Sequence, residues 1–283
     1  MKNTVLLIVL LLTYCANCAQ QKQSPIHVEV VGKGAPILLI PGFTVPGDIW
    51  QPLAKKLEKN YECHLVTLAG FGGKEPIAFP WLPTVNTALK NYILENNLQH
   101  ATVIGHSLGG TIATWLATQQ ELQLKNIVLV DALPASGALM IPNFNPDNLQ
   151  YNSPYNQQQL AMNAETFTQM ATAMSKNMSL NRAAQTKIKN WILTADRKTY
   201  VYGYTDYLKL DLREALKKIS IPVTIIAASQ PYGKKAVTQT YKNQYANLKD
   251  YQFIIADNSA HFIMLDKPNW FLEQIQITLA SKK

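Results

Sequence analysis

The sequence predicts an α/β protein with a doubly wound, mostly parallel sheet and an inserted helical cap. Short apolar segments with strand propensity alternate with amphipathic helical segments, which is typical of right-handed βαβ units. Residues 133–220 interrupt this alternation, because prolines and amide side chains there are followed only by helical patterns. We therefore expect a core formed by residues 20–132 and 221–283, with the cap, residues 133–220, over the carboxyl edge of the sheet.

The first 19 residues are typical of a secretory signal peptide. Lys2 precedes an apolar run from Val5 to Leu12, and small residues follow it. This run is too short to cross a bilayer as a helix. We expect cleavage between Cys18 and Gln21 and export to the periplasm or the exterior, without a stable membrane span. A lipid anchor at Cys18 is the less favoured alternative.

The composition of the chain argues against a nucleic-acid partner and against an internal disulfide. The chain has 283 residues, of which 47% are hydrophobic and 16% charged, and a net charge of +8. Its lysines are spread without a basic block, so we expect no nucleic-acid partner. Removal of the signal peptide leaves only Cys63, and we therefore expect no internal disulfide. We predict no metal and no cofactor.

The segment before residue 100 has the pattern of a parallel sheet. Residues 36–40 are uniformly apolar, which predicts a strand that is buried on both faces. The loop Pro41-Gly42-Phe43-Thr44 follows it directly. The other elements predicted here are strands at 27–31 and 62–68 and helices at 48–59 and 85–96.

Residues 105–109, Gly-His-Ser-Leu-Gly, lie between a predicted strand at 101–104 and a predicted helix at 111–120. The turn must be tight, and Gly105 and Gly109 leave room where a side chain would meet the neighbouring strand or helix. The Ser107 hydroxyl is then exposed at the end of the strand, close to the free N–H groups of the helix. A phosphate-binding loop is excluded because no lysine follows the glycines.

The remaining elements are predicted as strands at 126–130, 223–228 and 251–256 and helices at 157–177, 180–193, 204–218 and 234–248, with a closing helix from Pro268. Within the cap, Phe167, Met170, Met174 and Met178 recur at helical spacing. This stripe either packs the cap on the core or forms an adaptable apolar pocket for an acyl group.

A nucleophilic serine needs a neutral, oriented base. His261 lies on the loop directly after the last predicted strand and is therefore expected at the same sheet edge as Ser107. His106 adjoins the serine but is expected to point away from it on so tight a turn. Cys63 and His64 lie within a strand, and we assign them no role.

The base needs an acid that orients it, and this acid is expected at the end of an intervening strand. The strand at 223–228 ends without a carboxylate, whereas the strand at 126–130 ends at Asp131. We therefore predict Asp131 as the acid, with Asp257 as the weaker candidate and capping of a loop as the alternative role of Asp131. For the oxyanion hole, the sequence predicts the N–H groups of Leu108 and Phe43.

On these residues the chain resembles the α/β-hydrolase superfamily of the serine type. The matching motifs are Ile40-Pro41-Gly42-Phe43, the turn at 105–110, and Ala260-His261-Phe262 with Pro268. Residues 67–73 resemble a loop that has the sequence Asp-x-x-Gly-x-Gly in many members, with threonine in place of the acid. Members similar to haloalkane dehalogenases carry their acid where Asp131 lies, but they use an aspartate nucleophile, so Ser107 excludes that chemistry.

The resemblance implies an exported serine hydrolase that cleaves a small carboxylic ester through Ser107, His261, Asp131 and an acyl-enzyme. An amidase, an aminopeptidase or a C–C bond hydrolase would use the same residues. A non-catalytic binding protein of this fold is the third alternative, since the usual position of the acid lacks a carboxylate. The oligomeric state is not predicted.

Overall fold

The protein is represented by a computed structural model that describes residues 23–281. The predicted signal peptide lies outside the described residues. The strands are β1 Ile26–Gly32, β2 Ala35–Ile40, β3 Tyr61–Leu68, β4 Thr102–His106, β5 Asn126–Val130, β6 Val223–Ala228 and β7 Gln252–Ala256. They form a 7-stranded sheet in the order β1-β3-β2-β4-β5-β6-β7. Only β1 is antiparallel to its neighbour, which confirms the predicted fold class.

Helices connect the parallel strands. The α-helices are α1 Gln51–Leu57, α2 Trp81–Glu95, α3 Leu108–Ala117, α4 Ser136–Met140, α5 Pro154–Ala161, α6 Ala164–Met178, α7 Arg182–Thr194, α8 Tyr204–Lys209, α9 Gly233–Gln244, α10 Ile263–Asp266 and α11 Pro268–Ala280. Short 3₁₀ turns lie at Gly47–Trp50, Gln120–Leu122, Pro146–Asn148 and Ala215–Lys218, and a π-helical turn at Thr199–Gly203 precedes α8.

Helices cover both faces of the sheet. Along β2, Leu38 and Ile40 pack into an apolar cluster with side chains of α2, α3 and α9. The alternate residues, Ile37 and Leu39, pack into a second cluster with side chains of α1, α6, α7 and α11. Since successive side chains of a strand point to opposite faces, this strand is buried on both, as its uniformly apolar sequence predicted.

Two helices depart furthest from the predicted boundaries. The helix predicted at 157–177 is divided into α5 and α6, because the Asn163 side chain accepts a hydrogen bond from the Thr166 N–H (2.8 Å) and starts a new helix. The helix predicted at 204–218 ends at Lys209, after which the Leu212 N–H donates to the Pro134 carbonyl (3.0 Å). Each of these boundaries therefore lies close to a backbone N–H group that forms a hydrogen bond with an acceptor outside the helix.

Residues 131–222, the helical segment between β5 and β6, are bonded to the core at several points. The buried Asp206 carboxylate accepts hydrogen bonds from the N–H groups of Trp81 (2.7 Å) and Leu82 (3.1 Å) at the start of α2. The Asp196 N–H donates to the Gly70 carbonyl (2.8 Å). The segment thus supplies the N-terminal cap of a core helix.

Asp206→Ala is expected to destabilise the whole protein rather than the helical segment alone. The change leaves two N–H groups of α2 and the Tyr151 hydroxyl without their acceptor. Loss of a cap together with buried unpaired donors costs about 2 kcal/mol, which corresponds to a fall of roughly 4–8 °C in melting temperature. The matched control is Asp147→Ala, since Asp147 is exposed. Equal melting temperatures in the two variants would contradict this structural role.

Candidate active site

Ser107 lies on a strained turn between β4 and α3. Its backbone has φ 53° and ψ −121°, a conformation that is uncommon for a residue with a side chain. A Cβ added to Gly105 would lie 2.1 Å from the Gly109 carbonyl oxygen, and one added to Gly109 would lie 2.2 Å from that of Ile40. The predicted glycines are therefore required by close packing of the strands and the helix around the serine.

His261 and Asp131 are joined by a short hydrogen bond. The distance from His261 Nδ1 to Asp131 Oδ2 is 2.7 Å. The other oxygen of Asp131, Oδ1, accepts hydrogen bonds from the Ala228 N–H (2.9 Å) and the Tyr241 hydroxyl (3.1 Å). The carboxylate is thus fixed by two donors, and its free oxygen faces the imidazole. This arrangement orients His261 and favours its Nδ1–H tautomer.

Asp257, the weaker candidate for the acid, lies elsewhere. Its Oδ2 is 2.9 Å from Lys234 Nζ, and its side chain is 53% exposed. The hydrogen bond from this lysine lowers the pKa of the Asp257 carboxyl. After β6, the other strand end that was considered for the acid, the Ser229 hydroxyl accepts a hydrogen bond from the Asn258 N–H (3.0 Å). The structure therefore brings Asp131, and not Asp257, to His261.

The predicted oxyanion donors have no competing partners in the part of the chain that the structure describes. The N–H groups of Gly110 and Thr111 donate to the Ser107 carbonyl, at 2.9 and 3.1 Å, whereas those of Leu108 and Phe43 donate to no protein atom. The Phe43 ring is held by aromatic neighbours, among which the Phe71 ring lies at a centroid distance of 4.9 Å. Both N–H groups are therefore free for a ligand oxygen.

A cavity of about 1230 Å³ adjoins the strained turn. Ser107, His261 and Asp131 line it, together with side chains of the helical segment. Met170, Met174 and Met178 face the cavity, whereas Phe167 is 3% exposed and packs in the core. Within the apolar stripe of α6, the phenylalanine therefore packs in the core, and the methionines pack against the core and also line the cavity.

Sequence reasoning missed two side chains of this site. The Tyr241 hydroxyl holds Asp131, but nothing in the local pattern of α9 distinguishes it from a packing residue. His106 was expected to point away from the serine. Its Nε2 lies 3.0 Å from the backbone oxygen of His261, and the two rings are 4.6 Å apart between centroids.

The described part of the chain, residues 23–281, lacks two kinds of feature. No three histidine, cysteine, aspartate or glutamate side chains in this range are grouped so that they could bind a metal ion. No helix in the same range combines the length and the apolar sequence that a bilayer span requires.

The chain is similar to known proteins over most of its length. Residues 37–274 match the alpha/beta hydrolase family. The chain is 33% identical over 118 residues to the pimeloyl-[acyl-carrier protein] methyl ester esterase of Shewanella oneidensis, which covers 42% of this chain and 43% of that relative. The protein of the same name from Aeromonas hydrophila is 22% identical over 261 residues, covering 89% of this chain and 98% of the relative.

Among solved structures, an esterase from Exiguobacterium antarcticum superposes with a TM-score of 0.74 at 18% identity, covering 90% of this chain and 96% of the other. At this identity the superposition shows a shared fold. The family match extends from β2, which precedes the predicted oxyanion loop, into α11, beyond His261. The chain therefore belongs to the alpha/beta hydrolase family.

Proposed function

We propose that this protein is an exported serine hydrolase that cleaves a carboxylic ester. The observation that carries the proposal is the 2.7 Å hydrogen bond between His261 and the doubly anchored Asp131, in a cavity that Ser107 also lines. His261 Nε2 takes the proton of the Ser107 hydroxyl while the serine oxygen attacks the ester carbonyl. The same proton then passes to the departing alcohol, leaving an acyl-enzyme.

The second half of the reaction repeats these steps with water. His261 takes a proton from the water molecule, whose oxygen attacks the acyl carbonyl, and returns the proton to Ser107 as the carboxylic acid leaves. In both halves a negative oxygen forms next to the N–H groups of Phe43 and Leu108. Two such donors stabilise the oxyanion more than they stabilise the ground-state carbonyl. This difference lowers the barrier and accelerates the reaction.

The walls of the cavity favour an uncharged substrate. Among its described lining residues there is no lysine, arginine or glutamate, and its one aspartate is Asp131. Burial raises the pKa of Tyr200 to about 12, so this hydroxyl is neutral at physiological pH. A charged group on the substrate would therefore lose its hydration without gaining a partner. Thioether and aromatic walls instead suit an apolar group of variable shape.

The proteins to which this chain is similar are named as esterases. Their names favour ester cleavage over the other reactions that the same residues could catalyse. The test uses a matched pair of substrates, a nitrophenyl ester and the nitroanilide of the same acid. We expect turnover of the ester, with a rapid initial release of nitrophenol equal to the amount of enzyme if deacylation is slow. Faster turnover of the anilide would identify an amidase, and turnover of neither would favour the binding protein.

Export is proposed from the sequence of residues 1–19. The test is the N-terminal sequence of the mature protein recovered from the periplasm or the medium. We expect it to begin between Ala19 and Gln21. A mature protein that retains residues 1–19 in the cytoplasm would contradict export, and a lipid-modified Cys18 would identify the anchored alternative.

Met174→Phe is expected to shorten the acyl chain that the enzyme prefers. Met174 lines the cavity, and its sulfur accepts a hydrogen bond from the Tyr200 hydroxyl (3.5 Å). A larger, stiffer ring at this position takes space from a long chain but leaves the carbonyl site unchanged. We expect kcat/KM to fall at least ~10-fold for dodecanoate and little for acetate, in a series of nitrophenyl esters.

The matched control is Met162→Phe, because Met162 packs against the core and does not line the cavity. Its chain-length profile is expected to follow that of the wild type. An unchanged profile in Met174→Phe, or the same change in both variants, would show that the methionines of α6 do not contact the acyl chain.

A further inference from the structure

His106 is a buried side chain to which the proposed mechanism assigns no task. It is the last residue of β4, directly before Ser107, and is 0% exposed. Its ring contacts the His261 loop in two ways. His106 Nε2 lies 3.0 Å from the His261 backbone oxygen, and the two imidazole rings lie 4.6 Å apart at an angle of 47°.

The partners of His106 determine its tautomer. A carbonyl oxygen can only accept a hydrogen bond, so the proton must be on Nε2, and Nδ1 carries a lone pair. Among the described residues Nδ1 has no hydrogen-bond partner. Burial, and then the proximity of His261, hold the pKa of His106 well below its usual range. The ring therefore remains neutral and does not repel the imidazolium that forms on His261 during the reaction.

On the other side of the His106 ring, Nδ1 lies close to the loop after β2, which carries the predicted oxyanion donor Phe43. A Cβ added to Gly42, the residue before Phe43, would lie 2.9 Å from His106 Nδ1 and 3.2 Å from the Ser107 Cβ. The His106 ring therefore fills the space between the loop after β2 and the loop after β7. Because it extends from a buried central strand, its own position is set by the sheet.

The loop that carries His261 connects β7 to α10 and is anchored on both sides of the histidine. The Ala260 N–H donates to Asp266 Oδ2 (2.8 Å), and the Phe262 N–H donates to the Met178 carbonyl (3.0 Å). Asp131 holds the His261 ring at Nδ1, but among the described residues the backbone of His261 itself has no hydrogen bond other than the one with His106. A hydrogen bond to the His261 carbonyl constrains that backbone.

We propose, on the premise that the serine hydrolase mechanism above operates, that His106 is a positioning residue for the base. Its Nε2–H holds the His261 carbonyl and its ring packs against the His261 imidazole, so that the position of the base relative to the Ser107 turn is fixed. A displacement of about 1 Å at a reacting group can lower the rate ~10²-fold. His106 thereby connects the nucleophile turn, the oxyanion loop and the base.

The test compares His106→Gln with His106→Met. The two side chains have similar length, but only glutamine carries an N–H that can donate to the His261 carbonyl. We expect kcat of the methionine variant to fall roughly 10²-fold at nearly unchanged KM, because the side chains of the helical segment that form most of the cavity wall are retained. The glutamine variant is expected to recover kcat to within about tenfold of the wild type.

Circular dichroism and melting temperature establish that each variant is folded. If the methionine variant does not fold, His106→Asn takes its place, since its amide is too short to reach the carbonyl. The positioning role would be overturned if the variant without a donor kept the wild-type kcat. It would also be overturned if the glutamine variant lost as much kcat as the methionine variant, or if only KM changed. Failure of the wild-type protein to turn over any ester would instead contradict the proposed function, so the two failures are distinguishable.

Discussion

Ser107→Ala is expected to lower ester turnover by about 10⁶-fold, the typical cost of removing a triad nucleophile. The change removes one oxygen atom and leaves the Cβ, so the packing of the strained turn is kept. No hydrogen bond within the described residues uses the Ser107 hydroxyl, and the melting temperature should therefore be nearly that of the wild type. The measurement is kcat for a nitrophenyl ester together with thermal unfolding.

The control for this variant is Ser175→Ala. Ser175 is buried and does not line the cavity, and its hydroxyl donates to the Thr172 carbonyl within α6 (3.0 Å). Its turnover is expected to remain within about twofold of the wild type, as for most changes that remove no catalytic group. Esterase activity that persisted in a pure sample of Ser107→Ala would show that another residue is the nucleophile.

Asp131→Asn is expected to lower turnover by about 10⁴-fold, the loss found when the acid of a serine-protease triad is changed in this way. The Ala228 N–H and the Tyr241 hydroxyl would still bind the amide oxygen. The amide NH₂ would then face His261 Nδ1 in place of Oδ2. Because NH₂ is a donor, the imidazole must accept at Nδ1 and carry its proton on Nε2, where it cannot take the proton of the serine.

Asp257→Asn is the matched control, since the same substitution is made in the loop next to His261. It removes an exposed ion pair with Lys234, and such pairs contribute little to stability. We expect nearly unchanged turnover and melting temperature. Wild-type turnover in Asp131→Asn, or a larger loss in Asp257→Asn, would show that Asp131 does not orient the base.

The central parallel strands β5 and β6 could be predicted closely because each is a short apolar run whose residues are all buried. The predicted strands at 126–130 and 223–228 coincide with β5 and β6. The helix boundaries were less accurate, since they depend on single caps. Asn163, which divides α5 from α6, lies in a stretch with several other amide residues, and only its hydrogen bond to the Thr166 N–H distinguishes it.

The three residues of the proposed triad could be placed because parallel strands end at one edge of a sheet. Ser107 and Asp131 each follow a strand directly and His261 lies on the loop after β7, and this rule needs no knowledge of side-chain packing. No such rule locates the residues that support the triad through side-chain contacts. Tyr241 is 110 positions from Asp131, and His106 is 155 positions from the carbonyl that it contacts, so no local pattern marks either pair.

The central claim, that Asp131 and His261 activate Ser107, is tested most directly by covalent labelling with a fluorophosphonate, which reacts with activated serines. The measurement is the rate of labelling and the modified residue, identified by mass spectrometry, in the wild type and in Asp131→Asn. We predict one modification, on Ser107, that forms rapidly in the wild type and is slowed by orders of magnitude in the variant. Labelling of another residue, or equal labelling rates in the two proteins, would contradict the proposed triad.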